Sequence, residues 1–139
     1  MSELPDNNRD EARRWLGNVA DDLHVMRMVV ADPESPARMA CFLAHLAVEK
    51  ALKAVIIDGD VALEKTHNLL VLHDTCLAIG RFHSLDRSLL AACNPWAIDG
   101  RYADDMVEAD RSTARRLTDF ANEVFAQAQR VLGGERGDQ

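Results

Sequence analysis

Ala40-Cys41-Phe42-Leu43-Ala44-His45-Leu46-Ala47-Val48-Glu49-Lys50-Ala51-Leu52-Lys53-Ala54 is the stretch that decides the fold. On a helix, at about 100° per residue, it is apolar around most of its circumference, with Leu43, Ala44, Ala47, Val48, Ala51, Leu52, Ala54 and Val55 spanning the arc to be buried. A helix so apolar belongs at the centre of a bundle. Its polar remainder is one strip in which Arg38, His45, Glu49 and Lys53 lie nearly above one another, with Lys50 at the margin.

The elements on either side carry the same period. Ala12, Trp15, Val19, Leu23, Met26 and Val30 recur at three- and four-residue steps and predict a first helix over 9–31, anchored by Trp15. Asp32-Pro33-Glu34-Ser35-Pro36 interrupts it, since each proline removes a donor and restricts the residue before it. The second helix then runs over 36–57 and stops at Asp58-Gly59-Asp60, where the glycine is expected to take a left-handed cap. Thr66 is the expected N-cap of a third helix carrying Leu69, Leu72, Cys76 and Ile79 and ending near Gly80, and a short helix follows over 85–92. Residues 94–103 read as an ordered loop. Asp105 and Glu108 have capping-box spacing and open a last helix whose Leu117, Ala121, Val124, Ala128 and Val131 face the core. The pattern predicts an all-α, up-and-down four- or five-helix bundle over 9–132, between a disordered N-terminus (1–8) and a flexible tail (133–139).

Composition narrows the function classes. A chain of 139 residues is one domain and is long enough to bury its own core. Its three cysteines, Cys41, Cys76 and Cys93, lack metal-ligand spacing, so they read as reduced structural thiols in a cytoplasmic protein. No segment has the length and apolarity of a signal peptide core or a membrane span. A net charge of -7 opposes a sequence-independent grip on nucleic acid, although Arg9/Arg13/Arg14 and Arg111/Arg115/Arg116 are clustered. No metal pair, Gly-rich phosphate loop or Ser/His/Asp arrangement is present, so neither a cofactor nor a metal is expected.

Three segments in order, Ala40-Cys41-Phe42 leading into Ala47-Val48-Glu49-Lys50-Ala51-Leu52-Lys53-Ala54, then Thr66-His67-Asn68-Leu69, then Trp96-Ala97-Ile98-Asp99-Gly100-Arg101-Tyr102, make the chain resemble a HEPN-domain protein. Where relatives usually follow the Arg-Tyr pair with proline, this chain has Ala103. The resemblance implies an α-helical bundle, commonly a homodimer, in prokaryotes often encoded beside a minimal nucleotidyltransferase as a toxin and antitoxin pair. Some members are metal-independent endoribonucleases. Their shared motif is an arginine, four to six residues, and a histidine at the start of the last long helix.

That motif is missing from its usual place. After Arg101 the allowed positions hold Met106, Val107 and Glu108, and no histidine follows Arg111. Arg38 and His45 have the spacing, but with 13 arginines and 5 histidines about 1.4 such matches arise by chance in a chain this long. Candidate ligand-binding residues are Glu49, Lys50 and Lys53 on the strip, His67 in the first turn of the third helix, and Asp99, Arg101 and Tyr102 in the loop beside Trp96. Each also has a plain structural role available: Glu49 and Lys53 have ion-pair spacing, His67 a capping position, and Arg101 a loop to clamp.

The expectation is a HEPN binding module. It would form a homodimer through an apolar edge around Phe42, Leu46 and the Trp96 loop, working with a nucleotidyltransferase-type partner or a nucleotide or RNA ligand and no membrane. The alternatives are an endoribonuclease toxin using Arg38 and His45 as a displaced acid-base pair, and a helical scaffold without a ligand.

Overall fold

A computed structural model describes residues 7–97 and 109–134, and all described secondary structure is helical. The helices are α1 (Asn8–Ala31), α2 (Ala37–Asp58), α3 (Leu69–Ala78), α4 (Arg87–Cys93), continued by a 3-10 turn at Asn94–Ala97, and α5 (Arg111–Gly133). The chain is therefore the α-helical bundle its periodicity predicts.

α2 lies at the centre because it has no polar face wide enough to meet water. Ala40, Cys41, Ala44, Ala47, Val48, Ala51, Leu52, Ala54 and Val55 are all fully buried, with α1 and α5 making the main contacts and α3 and α4 packing beside them. Contacts at the ends fix the direction of each long helix. Arg9 at the start of α1 reaches both Asp58 at the end of α2 and the carbonyl of Gly134 after α5. At the opposite end, the Arg111 guanidinium opening α5 donates to the carbonyl of Val30 in the last turn of α1 and to those of Asp32 and Ser35 between α1 and α2. Thus α2 and α5 both run antiparallel to α1, and the chain between them turns back through the short helices α3 and α4.

Several boundaries differ from expectation. The first helix begins at Asn8, with the Asn7 side chain capping it by accepting from Asp10 N–H at 2.8 Å, so the helix includes part of the stretch read as disordered. Its buried stripe is Ala12, Leu16, Val19, Leu23 and Met26. Trp15 stands at the shoulder of that stripe and lines a cleft of about 450 Å³ with Glu11, Arg14, Asn18 and Lys50. Asn68 rather than Thr66 caps α3, while Thr66 Oγ1 accepts from the Asn68 N–H to hold the turn before it. α5 opens after Asp110, whose carboxylate accepts from Thr113 N–H at 2.7 Å; Ala109 and Asp110 are non-helical, and the expected cap at Asp105 and Glu108 lies outside the described residues. Of the apolar edge around Phe42, Leu46 and the Trp96 loop, Phe42 and Leu46 are half-buried and Trp96 is 5% exposed, while residues 98–103 of the loop lie outside the described residues.

Gly59 is correctly the stop of α2, but for a different reason. Its φ is -80°, and the left-handed residue is Asp60 at φ 65°. What Gly59 supplies is space, because a Cβ there would stand 2.9 Å from Ile79 Cδ1 and 3.1 Å from Arg81 Cδ. Arg81 is pinned on Asp58 and has little freedom to retreat. Gly59→Ala should therefore destabilise the protein by about 1–3 kcal/mol, the range for overpacking, measured by urea unfolding. A neutral result would show that the α3–α4 connection yields freely.

Candidate functional site

Four-residue steps on α2 stack His45, Glu49 and Lys53 along one line, and packing buries all three, at 0%, 6% and 8% exposure. The Glu49 carboxylate is their hub. Its Oε1 lies 3.2 Å from His45 Nε2, while Oε2 accepts from Lys53 Nζ at 2.8 Å and from His67 Nδ1 at 2.9 Å. His45 Nδ1 faces the carbonyl of Cys93, at the end of α4, at 3.2 Å. Whichever ring nitrogen of His45 carries the proton, it therefore donates to an acceptor.

His67 is brought to the hub by the segment before α3. The Asn68 side chain caps α3 through Leu70 N–H, and Asn94 ties that helix start to the turn after α4, accepting from Leu69 N–H at 2.8 Å and donating to Asn68 Oδ1 at 3.2 Å. His67 precedes the helix and does not sit in its first turn as the sequence suggested. Its side chain is 72% exposed, so it closes the cluster from the solvent side.

Burial pushes the Glu49 carboxyl up, but hydrogen bonds from His45, Lys53 and His67, with the Lys53 charge, outweigh it and hold the group down at about 2. So acidic a carboxyl is a poor proton acceptor at neutral pH. The strip is an internally neutralised lock between α2, the start of α3 and the end of α4.

The remaining candidates fall in different places. Arg38 is exposed while His45, two turns on, has no exposed surface, so the pair does not share a solvent-facing groove. Lys50 turns toward α1 and pairs with Asp22 at 2.8 Å, so it stands apart from the Glu49 hub. Asp99, Arg101 and Tyr102 lie outside the described residues, as do Met106, Val107 and Glu108.

Two polar clusters escaped the sequence reading. Asp58, with a fully buried side chain, accepts from Arg9 Nε at 2.8 Å and Arg9 Nη2 at 2.9 Å, and also pairs with Arg81. His73 is fully buried on α3, where Leu85 N–H lies 3.1 Å from its Nε2, and burial lowers its proton affinity. The three cysteines are buried and unpaired, and burial pushes the thiols up, to about 11 for Cys41, about 12 for Cys76 and higher still for Cys93. They are poor nucleophiles and fit the structural role expected of them. Among the described residues, no group of three or more His, Cys, Asp or Glu side chains is arranged to hold a metal ion, and no helix is long and apolar enough to cross a membrane.

Comparison with solved structures finds the same fold in the crystal structure of TT1696 from Thermus thermophilus, with a TM-score of 0.66 over 86% of this chain and 97% of that one at 22% identity. No curated protein matches. The family profile described as HEPN domain matches residues 12–131, from the second turn of α1 to the last turn of α5. The chain belongs to the HEPN-domain family.

Proposed function

We propose that this chain is a HEPN module that binds rather than cleaves, associating with itself and with a nucleotidyltransferase-type protein. One observation carries the reading: all five histidines lie at or before position 83, so none follows Arg101 or any arginine of α5. The place where nucleolytic relatives carry their histidine holds Met106, Val107 and Glu108 instead. The buried lock on α2 supports the same reading, because its histidine is shielded and its carboxylate is tied to three nitrogen atoms. Lys50 and Lys53 are each neutralised by an acid within the fold, which argues against a nucleotide at this strip.

The purified protein should leave single-stranded RNA and tRNA intact over hours at neutral pH. Cleavage above a buffer control that disappears in both Arg38→Ala and His45→Gln, with helical circular dichroism retained, would make the chain a nuclease. For the partner, a short nucleotidyltransferase encoded in the adjacent gene should co-elute with this chain on size exclusion. An adjacent nucleotidyltransferase that elutes separately would remove that half of the reading.

A further inference from the structure

Two clefts meet at Glu11 on the first half of α1. One, of about 450 Å³, is lined by Trp15 with Arg14 and Lys50; the other, of about 300 Å³, lies where Asn8 and Glu11 face the chain leaving α2 at residues 60–63. Together they follow α1 from Asn8 to Asn18, a rise of about 15 Å.

The charge along this groove changes sign. Glu11 and Asp60 line the cleft at the end of α2, where the Asn8 amide donates to Asp60 Oδ1 at 2.5 Å and fixes that carboxylate. Arg14 and Lys50 line the other cleft beside the half-buried Trp15 indole. Ile57, Val61 and Leu63 add apolar surface at the acidic end.

The wall opposite α1 has unused main chain. Residues 61–64 belong to no helix or turn. Among the described residues, the amides of Ala62, Leu63, Glu64 and Lys65 and the carbonyls of Val61, Ala62 and Leu63 have no hydrogen-bond partner. A run of backbone with its donors and acceptors unpaired is what an added extended segment pairs with.

We infer that this groove docks an extended segment of another protein, with a basic side chain at the Glu11 and Asp60 end, an apolar one on Trp15 and an acidic one at the Arg14 and Lys50 end. A strand rises about 3.3 Å per residue, so about five residues fill the groove, and the first, third and fifth side chains face one way. Their main chain pairs with residues 61–63. A polyanion fits poorly, because two carboxylates line the same groove and Asp22 already engages Lys50. The inference goes beyond the associations proposed above and stands without them.

The probes are two acetylated and amidated pentapeptides, Lys-Thr-Leu-Thr-Glu and Glu-Thr-Leu-Thr-Lys, which share a composition and differ in polarity. By calorimetry at low salt one should bind with a Kd below about 1 mM and the other at least about fivefold more weakly. Binding should shift tryptophan emission. The shift should vanish in Trp15→Phe, which leaves only Trp96, itself buried. The double variant Glu11→Arg/Arg14→Glu should lose the preference between the peptides while keeping its helical circular dichroism, since both side chains are exposed. Alternate amides of a strand face opposite ways, so N-methylation of the leucine amide and N-methylation of the two threonine amides should differ, one abolishing binding and the other sparing it.

Failure of both peptides to bind below several millimolar, equal affinity for the two, or a preference that survives the double substitution would each overturn the inference. If neither methylation mattered, the main-chain pairing would fall.

Discussion

Asp58→Ala should lower stability by about 3 kcal/mol, a fall of about 10 °C in melting temperature for a chain of this size. The Asp58 side chain has no exposed surface, and two arginines, Arg9 from the start of α1 and Arg81 from beyond α3, converge on its two oxygens. Removing the acid leaves two guanidinium groups facing each other, only 15% and 24% exposed, with their anion gone. It also loosens Arg9, whose Nη1 donates to the Gly134 carbonyl at 2.7 Å and so ties the end of α5 to the same point. Asp58→Asn keeps the volume but not the charge and should cost nearly as much. Arg9→Met, which leaves Asp58 still paired with Arg81, should cost less than either. Urea unfolding reads all three. If Asp58→Ala cost under about 1 kcal/mol, as a surface ion pair does, this end of the bundle would be held by apolar packing alone.

The contrast between Asp58 and Glu49 shows which parts of such a site are legible in a sequence. His45, Glu49 and Lys53 recur every fourth residue on one helix, so helix geometry alone makes them neighbours, and their line can be drawn without knowing the fold. Asp58 meets partners 49 and 23 residues away, and before the helices are packed it reads only as a turn residue ahead of Gly59. Lys50 shows the same limit. It is one residue and about 100° from Glu49, and its acid, Asp22, can be chosen only once α1 is known to lie on that side of α2. Caps were near misses for a local reason: Thr66 and Asn68 are both good N-cap residues, and the choice fell to Asn68 because Asn94 docks on it from the turn after α4. The three- and four-residue period points to Trp15 as the anchor of α1, yet Leu16 completes the buried stripe and the indole turns to a cleft beside Lys50.

Glu49 carries the other large expected effect, and its signature is in pH. The ordinary value for an unfolded glutamate is 4.5, and the fold holds this one at about 2. At about 1.36 kcal/mol for each tenfold change in proton affinity, ionised Glu49 contributes about 3 kcal/mol of stability at neutral pH. The sign follows from where protons bind. Between pH 4.5 and about 2 the unfolded chain takes up a proton that the folded chain refuses, so the contribution is complete above 4.5 and is lost as pH falls through that window. His73 adds an earlier step of the same sign: burial keeps it neutral in the fold, so its contribution is complete above its ordinary value of 6.5 and declines as pH falls below it. Acid unfolding should thus begin gently below pH 6.5 and steepen below 4.5. Glu49→Gln should lose about 2–3 kcal/mol at pH 7, because the Lys53 ammonium stays buried without its countercharge. The variant should also lose the steep segment, so its stability curve converges on that of the wild type toward pH 2. Two parallel curves would mean that the acid sensitivity belongs to other carboxylates, and that Glu49 joins α2 to α3 and α4 by hydrogen bonding rather than by its charge.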